Sequence, residues 1–89
     1  MDIKEIRKQI ENVDLNMISL FEERMKLAEQ VALYKKENNI PIFDKEREEF
    51  LIEKNTALLK NKAFEEYYKE FLQSLMDISK QYQSEILNK

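Results

Sequence analysis

Apolar side chains recur at alternating steps of three and four residues from residue 3 to residue 34. Ten positions keep this spacing, and the seventh of them is an arginine. These positions, which we call the seam, are Ile3, Ile6, Ile10, Val13, Met17, Leu20, Arg24, Leu27, Val31 and Tyr34. Such steps place side chains on one face of an α-helix. The pattern therefore predicts a helix from about Ile3 to Glu37, with Asp2 as its N-cap.

Two breaks divide the rest of the chain into two further helices. Pro41 disfavours helical geometry at the residue before it, and Asp44 is a good N-cap for a second helix over about 45–60. A weaker break at Asn61 precedes a third helix over about 63–87. We find no strand pattern and no repeat. The sequence predicts a single all-α domain over residues 1–89, with helices in the order long, short, long.

The first helix is too long for a compact monomer of 89 residues. Its 35 or so residues span roughly 50 Å at about 1.5 Å each. A compact chain of this size is roughly 30 Å across. We therefore expect a homodimer in which antiparallel chains intertwine and cover the seam. A plain two-stranded coiled coil is the alternative, but it leaves the apolar faces of the other two helices unexplained.

The composition excludes several kinds of chemistry. The chain has no cysteine, no histidine and no glycine, and its net charge is −3. It therefore offers no thiolate nucleophile, no imidazole base or ligand, and no glycine-rich phosphate loop. It lacks the basic excess of a nucleic-acid binder and any segment apolar enough to span a membrane. We expect a soluble cytoplasmic protein that uses no metal and no cofactor and binds neither nucleic acid nor membrane.

Three cations of the first helix are candidates for a ligand site. Arg24 is a seam residue and cannot lose its charge, so it needs an anionic partner from the chain or from a ligand. Lys35 lies three turns further on and projects in nearly the same direction. Arg7 lies about 25 Å below Arg24 by helical rise, so only the Arg7 of another chain can approach that region. Taken singly, each has a structural explanation: register for Arg24, dipole compensation for Lys35 and solvation for Arg7.

Matching polar residues occur on the other two helices. The third helix has a stripe at steps of four and three that consists of Leu72, Met76, Ser79, Gln83 and Ile86. Ser79 can bond to its own backbone, whereas a buried Gln83 amide needs donors and acceptors from elsewhere, including a dimer partner. Asp44, Arg47 and Glu48 begin the second helix, where an N-cap followed by solvated charges is the simpler interpretation.

Taken together, the eight polar positions resemble the all-helical class of chorismate mutases. The matching segments are residues 6–10, 13–14, 23–24, 31–36, 41–44 and 47–48, with Ser79 and Gln83. The resemblance covers the chain from about Ile3 to Gln83 and includes the linker lengths. It implies three helices per chain, two intertwined chains, and the rearrangement of chorismate to prephenate. This intramolecular reaction needs no nucleophile or metal, which agrees with the composition.

The resemblance also implies roles for individual residues. Arg24 would clamp a substrate carboxylate, and Arg7 from the other subunit would supply a second clamp. Lys35 and Gln83 would donate to the ether oxygen of the breaking bond.

The four remaining residues have supporting roles under the same resemblance. Glu48 would accept a hydrogen bond from the ring hydroxyl, with the backbone of Asp44 nearby. Arg47 and Ser79 would support the pocket and the carboxylate contacts. Two alternatives stay open: a lyase that releases pyruvate from isochorismate on the same fold, and a non-catalytic helical dimerisation module.

Overall fold

A computed structural model describes residues 2–88 of the protein and contains three α-helices. Helix α1 spans Ile3–Glu37, α2 spans Lys45–Ala57, and α3 spans Glu65–Leu87, with a short 3₁₀ turn at Lys62–Phe64 before α3. No strand occurs within the described residues. This confirms the predicted all-α class and the order of helix lengths. None of the helices over residues 2–88 is long and apolar enough to cross a membrane.

Side-chain caps begin the two helices where the sequence predicted. The Asp2 carboxylate accepts from the Lys4 backbone N–H at 3.2 Å, and Asp44 accepts from the Arg47 N–H at 3.0 Å. Each cap satisfies one of the free N–H groups of a first helical turn. After α1 the chain turns at Asn39, whose φ of 54° lies in the left-handed region that asparagine tolerates.

Helix α2 ends three residues earlier than predicted, at Ala57. The Lys62 ammonium donates to the carbonyl oxygen of Ala57 at 3.0 Å and so satisfies a free acceptor at the helix end. The Asn61 side chain accepts from the Ala63 N–H at 3.0 Å and starts the 3₁₀ turn. These two local bonds favour an earlier end of α2, which the spacing of apolar residues does not predict.

The core lies between α1 and α3, with α2 packed on α3. Two small residues of α1, Ala28 and Ala32, are buried against α3, and Ala32 has no exposed surface. Small side chains let two helices approach closely. On α3 the buried residues are four members of the predicted stripe: Leu72, Met76, Ser79 and Gln83.

The seam of α1 is not the face that packs within the chain. Leu20 is 64% exposed and Tyr34 is 61% exposed. All residues from 7 to 23 are exposed. The molecule measures 54 × 26 × 15 Å and has a radius of gyration of 16.2 Å, against about 12 Å for a compact chain of this length. The N-terminal half of α1 therefore projects beyond the packed part of the chain.

We expect Ala32→Leu to lower the free energy of unfolding by about 1–3 kcal/mol, because the larger side chain forces α1 away from α3. The matched control is Ala57→Leu, at an exposed position at the end of α2. Urea unfolding followed by circular dichroism measures both. Equal stability of the two variants would contradict close packing at Ala32.

Candidate active site

A cavity of about 140 Å³ lies where the C-terminal half of α1, the start of α2 and the C-terminal half of α3 meet. Its lining consists of Arg24, Val31, Lys35, Ile42, Asp44, Arg47, Glu48, Leu51, Met76, Ser79, Lys80 and Gln83. Seven of the eight polar residues singled out from the sequence are in this lining. The exception is Arg7, which lies exposed on the projecting half of α1.

Helix α1 supplies two cations to the cavity. Arg24 and Lys35 are both half-buried. They lie three turns apart, so their side chains are on the same face of the helix. The Lys35 ammonium donates to the carbonyl oxygen of Ile42 at 2.8 Å, which fixes it against the linker before α2. An ammonium has three N–H donors, so two remain for a ligand.

The first turn of α2 forms one edge of the cavity. The cap that begins this helix brings the Asp44 carboxylate and the Arg47 backbone together. The Arg47 guanidinium also lies 5.7 Å from the centre of the Phe50 ring, within the range of a cation–π contact. The cap thus fixes the Asp44 carboxylate at the cavity edge, and the ring of Phe50 lies beside the Arg47 guanidinium.

Glu48 of α2 is joined to α3 through both of its carboxylate oxygens. Oε2 lies 2.9 Å from the Lys80 ammonium, and Oε1 accepts from the Gln73 amide at 3.3 Å. Lys80 also lies 3.3 Å from Asp77 and 4.6 Å from the centre of the Phe43 ring. The hydrogen bond to Glu48 is the main cause of a raised Lys80 pKa, so the ammonium stays charged at neutral pH.

Sequence reasoning missed Lys80. Its position directly after Ser79 on α3 was the one feature of the sequence that placed it near the candidate site. Its ion-pair partner Glu48 lies on another helix, and no local spacing rule connects the two.

Gln83 and Ser79 form a buried polar pair at the base of the cavity, each only 7% exposed. The Gln83 Nε2 donates to the Ser79 hydroxyl at 2.9 Å, and the Gln83 Oε1 has no partner. A buried acceptor without a partner costs about 1–3 kcal/mol. A half-turn of the amide lets the Ser79 hydroxyl donate to Oε1 instead and frees Nε2 to donate to a ligand.

The cavity lining is positively charged. Its cations are Arg24, Lys35, Arg47 and Lys80, and its carboxylates are Asp44 and Glu48. Four positive and two negative charges give a net charge of +2 at neutral pH. Apolar side chains complete the lining, so the charges are screened less than on an open surface. The arrangement suits a small dianion.

No group of three or more His, Cys, Asp or Glu side chains in the described part of the chain is arranged to hold a metal ion. The predicted independence from metals and cofactors stays a prediction.

Comparison with known proteins matches most of the chain to the family that the sequence resembles. The family model described as chorismate mutase type II matches residues 6–84. A chorismate mutase of Methanocaldococcus jannaschii is 33% identical over 92 residues, which cover 98% of this chain and 93% of that protein.

Two longer relatives are bifunctional chorismate mutase/prephenate dehydratases. The protein from Buchnera aphidicola is 38% identical over 89 residues, which cover 99% of this chain and 23% of that protein. The protein from Aquifex aeolicus is 31% identical over 87 residues, which cover 89% of this chain and 24% of that protein. The chain thus spans about a quarter of each bifunctional relative. No solved structure matches the chain significantly. The match over residues 6–84, together with the relatives, shows that this chain belongs to the chorismate mutase type II family.

Proposed function

We propose that this chain catalyses the rearrangement of chorismate to prephenate. The observation that carries the proposal is the cavity, where seven of the eight predicted polar residues line one space with a net charge of +2. The Methanocaldococcus relative, matched over 93% of its length, is named a chorismate mutase. Substrate and product are isomers, so a C–O bond breaks and a C–C bond forms within one molecule. The protein has to bind the substrate, hold it in a reactive shape and stabilise the transition state, and it exchanges no atoms with the substrate.

Carboxylate binding falls to the arginines of the cavity. The planar guanidinium of Arg24 can bind a carboxylate through two parallel hydrogen bonds, and Arg47 adds positive charge at the cavity edge. Holding a flexible dianion in a compact shape brings the two reacting carbons together before the reaction begins. Because the reaction is already intramolecular, the gain comes from restricting the conformations of the substrate and not from bringing two molecules together.

Stabilisation of the transition state falls to Lys35 and Gln83. Negative charge grows on the ether oxygen as the C–O bond lengthens. Lys35 has two N–H donors left after its bond to Ile42. Both N–H donors of Gln83 are free once its amide turns and Ser79 donates to Oε1. Donors fixed in advance beside the ether oxygen act strongly on the charge that forms there.

The ring hydroxyl of the substrate is assigned to Glu48. Its carboxylate lines the cavity, and its bonds to Lys80 and Gln73 use only part of its capacity to accept. The backbone beside Asp44, fixed by the helix cap, lies at the same edge. Glu48 thus orients the ring while the arginines hold the carboxylates.

We further propose that two chains pair as an intertwined antiparallel homodimer. An apolar groove of about 290 Å³ lies beside Arg24 and is lined by Met17, Leu20, Phe21, Phe71 and Leu75. Together with the exposed seam it offers a long apolar face that a second copy of α1 would cover. In an antiparallel pair the projecting end of one α1 reaches the partner's cavity and brings Arg7 to it. The single-domain organisation and the cytoplasmic location stay predictions beside this proposal.

The two alternatives make different demands. A non-catalytic dimerisation module predicts that Arg24, Lys35 and Gln83 contact protein carboxylates and amides, so that Gln83→Ala alters stability and not turnover. An isochorismate pyruvate-lyase would use the same carboxylate clamps. Product analysis distinguishes it, because chorismate yields prephenate and isochorismate yields salicylate and pyruvate.

We expect Arg24→Ala to lower kcat/KM for chorismate at least about a hundredfold, since a charge-assisted bidentate contact is lost. The assay follows the loss of chorismate absorbance and identifies prephenate by its acid conversion to phenylpyruvate. Lys26→Ala, at an exposed position of the same helix, is the matched control. Full activity of Arg24→Ala would remove this residue from the site. No turnover by the wild-type chain would refute the proposed function.

We expect Gln83→Glu to lower kcat about a hundredfold at neutral pH, because the new carboxylate repels the charge that grows on the ether oxygen. Acidification should restore activity as that carboxyl takes up a proton, becomes neutral and can donate. Gln83→Ala, which has no group to protonate, should stay slow at every pH. The measurement is kcat between about pH 4 and 8 for both variants, corrected for the wild-type profile. An unchanged rate at neutral pH would remove Gln83 from the mechanism.

Mixing two inactive variants tests the contribution of Arg7 from the partner chain. In a heterodimer of Arg7→Ala and Arg24→Ala chains, one site has both arginines and the other has neither. Half of randomly mixed dimers are heterodimers, so exchange should restore about a quarter of wild-type activity. If Arg7 acted in its own chain, mixing would restore nothing, and if Arg7 had no role, the Arg7→Ala variant would be fully active on its own. Light scattering of the wild-type chain checks the dimer itself.

A further inference from the structure

Lys80 is a cation of the cavity wall to which the family resemblance gives no role. It lines the candidate active site and also a neighbouring cavity of about 270 Å³ on its other side. Glu48 is the other charged residue common to both cavities. The ion pair between them therefore forms part of the wall that separates the two spaces.

The Lys80–Glu48 pair is the best covered ion pair in the described part of the chain. The side chains are 27% and 15% exposed, whereas the pair of Lys45 and Glu49 is 75% and 66% exposed. Exposed pairs hold their side chains weakly because water and salt screen them. A covered pair at 2.9 Å holds its geometry more firmly.

Further contacts fix Lys80 from its other sides. Asp77, one turn earlier on the same helix, lies 3.3 Å from the ammonium, and the Phe43 ring centre lies 4.6 Å from it. The ammonium is thus held by one helix and one linker while it faces a carboxylate on a second helix. Its position does not depend on Glu48 alone.

Glu48, by contrast, has few other restraints. It lies in the first turn of α2, and its one further side-chain bond is the longer one from Gln73, at 3.3 Å. With Oε2 held by Lys80 and Oε1 accepting from Gln73, each oxygen keeps further capacity to accept, and Glu48 lines the cavity. Without Lys80 the carboxylate is free to rotate toward water.

We propose that Lys80 is a positioning residue for the reaction, which holds the Glu48 carboxylate where it accepts a hydrogen bond from the substrate hydroxyl. The proposal rests on the proposed function, in which Glu48 contacts that hydroxyl. It differs from a direct role, in which the Lys80 ammonium binds the substrate, and from a structural role, in which the pair only ties α2 to α3.

A double-mutant cycle on kcat/KM distinguishes these three roles. It compares the wild-type chain, Lys80→Met, Glu48→Gln and the double variant with chorismate as substrate. We expect Lys80→Met to lower kcat/KM about tenfold in the wild-type background and less than about twofold in the Glu48→Gln background, because the residue acts through the carboxylate. The same factor in both backgrounds would show a direct contact and overturn the proposal. A lower free energy of unfolding with unchanged kcat/KM would show a structural role and overturn it equally.

Control variants complete the experiment. Lys80→Arg keeps the ion pair and should retain activity within about threefold. Lys69→Met removes an exposed pair with Glu66 from the same helix and should leave kcat/KM unchanged. If Lys80→Met does not fold, Lys80→Gln, which keeps a neutral donor, takes its place in the cycle.

The wild-type chain in the same assay keeps the two hypotheses apart. An inactive wild-type chain would refute the proposed function, and the Lys80 proposal would fall with it. An active wild-type chain with independent effects of Lys80 and Glu48 would refute the Lys80 proposal alone.

Discussion

Four cationic side chains line a cavity that has only two carboxylates, so the surrounding helices have to hold an excess of positive charge in one place. Cations that line one small, partly apolar space repel one another. Such an arrangement persists only where the surrounding helices hold each group in place. An anion that enters the cavity relieves the repulsion and stabilises the folded chain. An excess of positive charge in the lining favours an anionic ligand over a neutral one.

Each helix restrains one polar group of the cavity through a local contact. Lys35 is tied to the linker at Ile42, and the Asp44 cap fixes the start of α2. On α3, Ser79 holds Gln83 one turn away. Several groups of the candidate site are therefore restrained by contacts within their own helix or the adjoining linker.

Four residues of the candidate site could be grouped in advance because they follow helical periodicity. Arg24 and Lys35 lie three turns apart, and Ser79 and Gln83 lie one turn apart, so spacing alone put each pair on one face. Lys80 could not be found in this way. It matters through Glu48, and a contact between side chains on two helices depends on how those helices pack. The family resemblance added the order in which the three helices contribute residues, which periodicity does not supply.

The sequence by itself determined the helices, the caps at Asp2 and Asp44 and the break at Pro41, because these depend on interactions within a few residues. It also determined which stripe of α3 is buried. Only the tertiary structure decided that α1 packs within its chain through Ala28 and Ala32 and leaves the seam exposed. Helical periodicity does not tell whether α1 packs within its chain through the seam or through the face of Ala28 and Ala32. The choice depends on the close approach that small residues allow. The tertiary structure also decided the pairing of Lys80 with Glu48, because this pair joins two helices whose relative position no local pattern fixes.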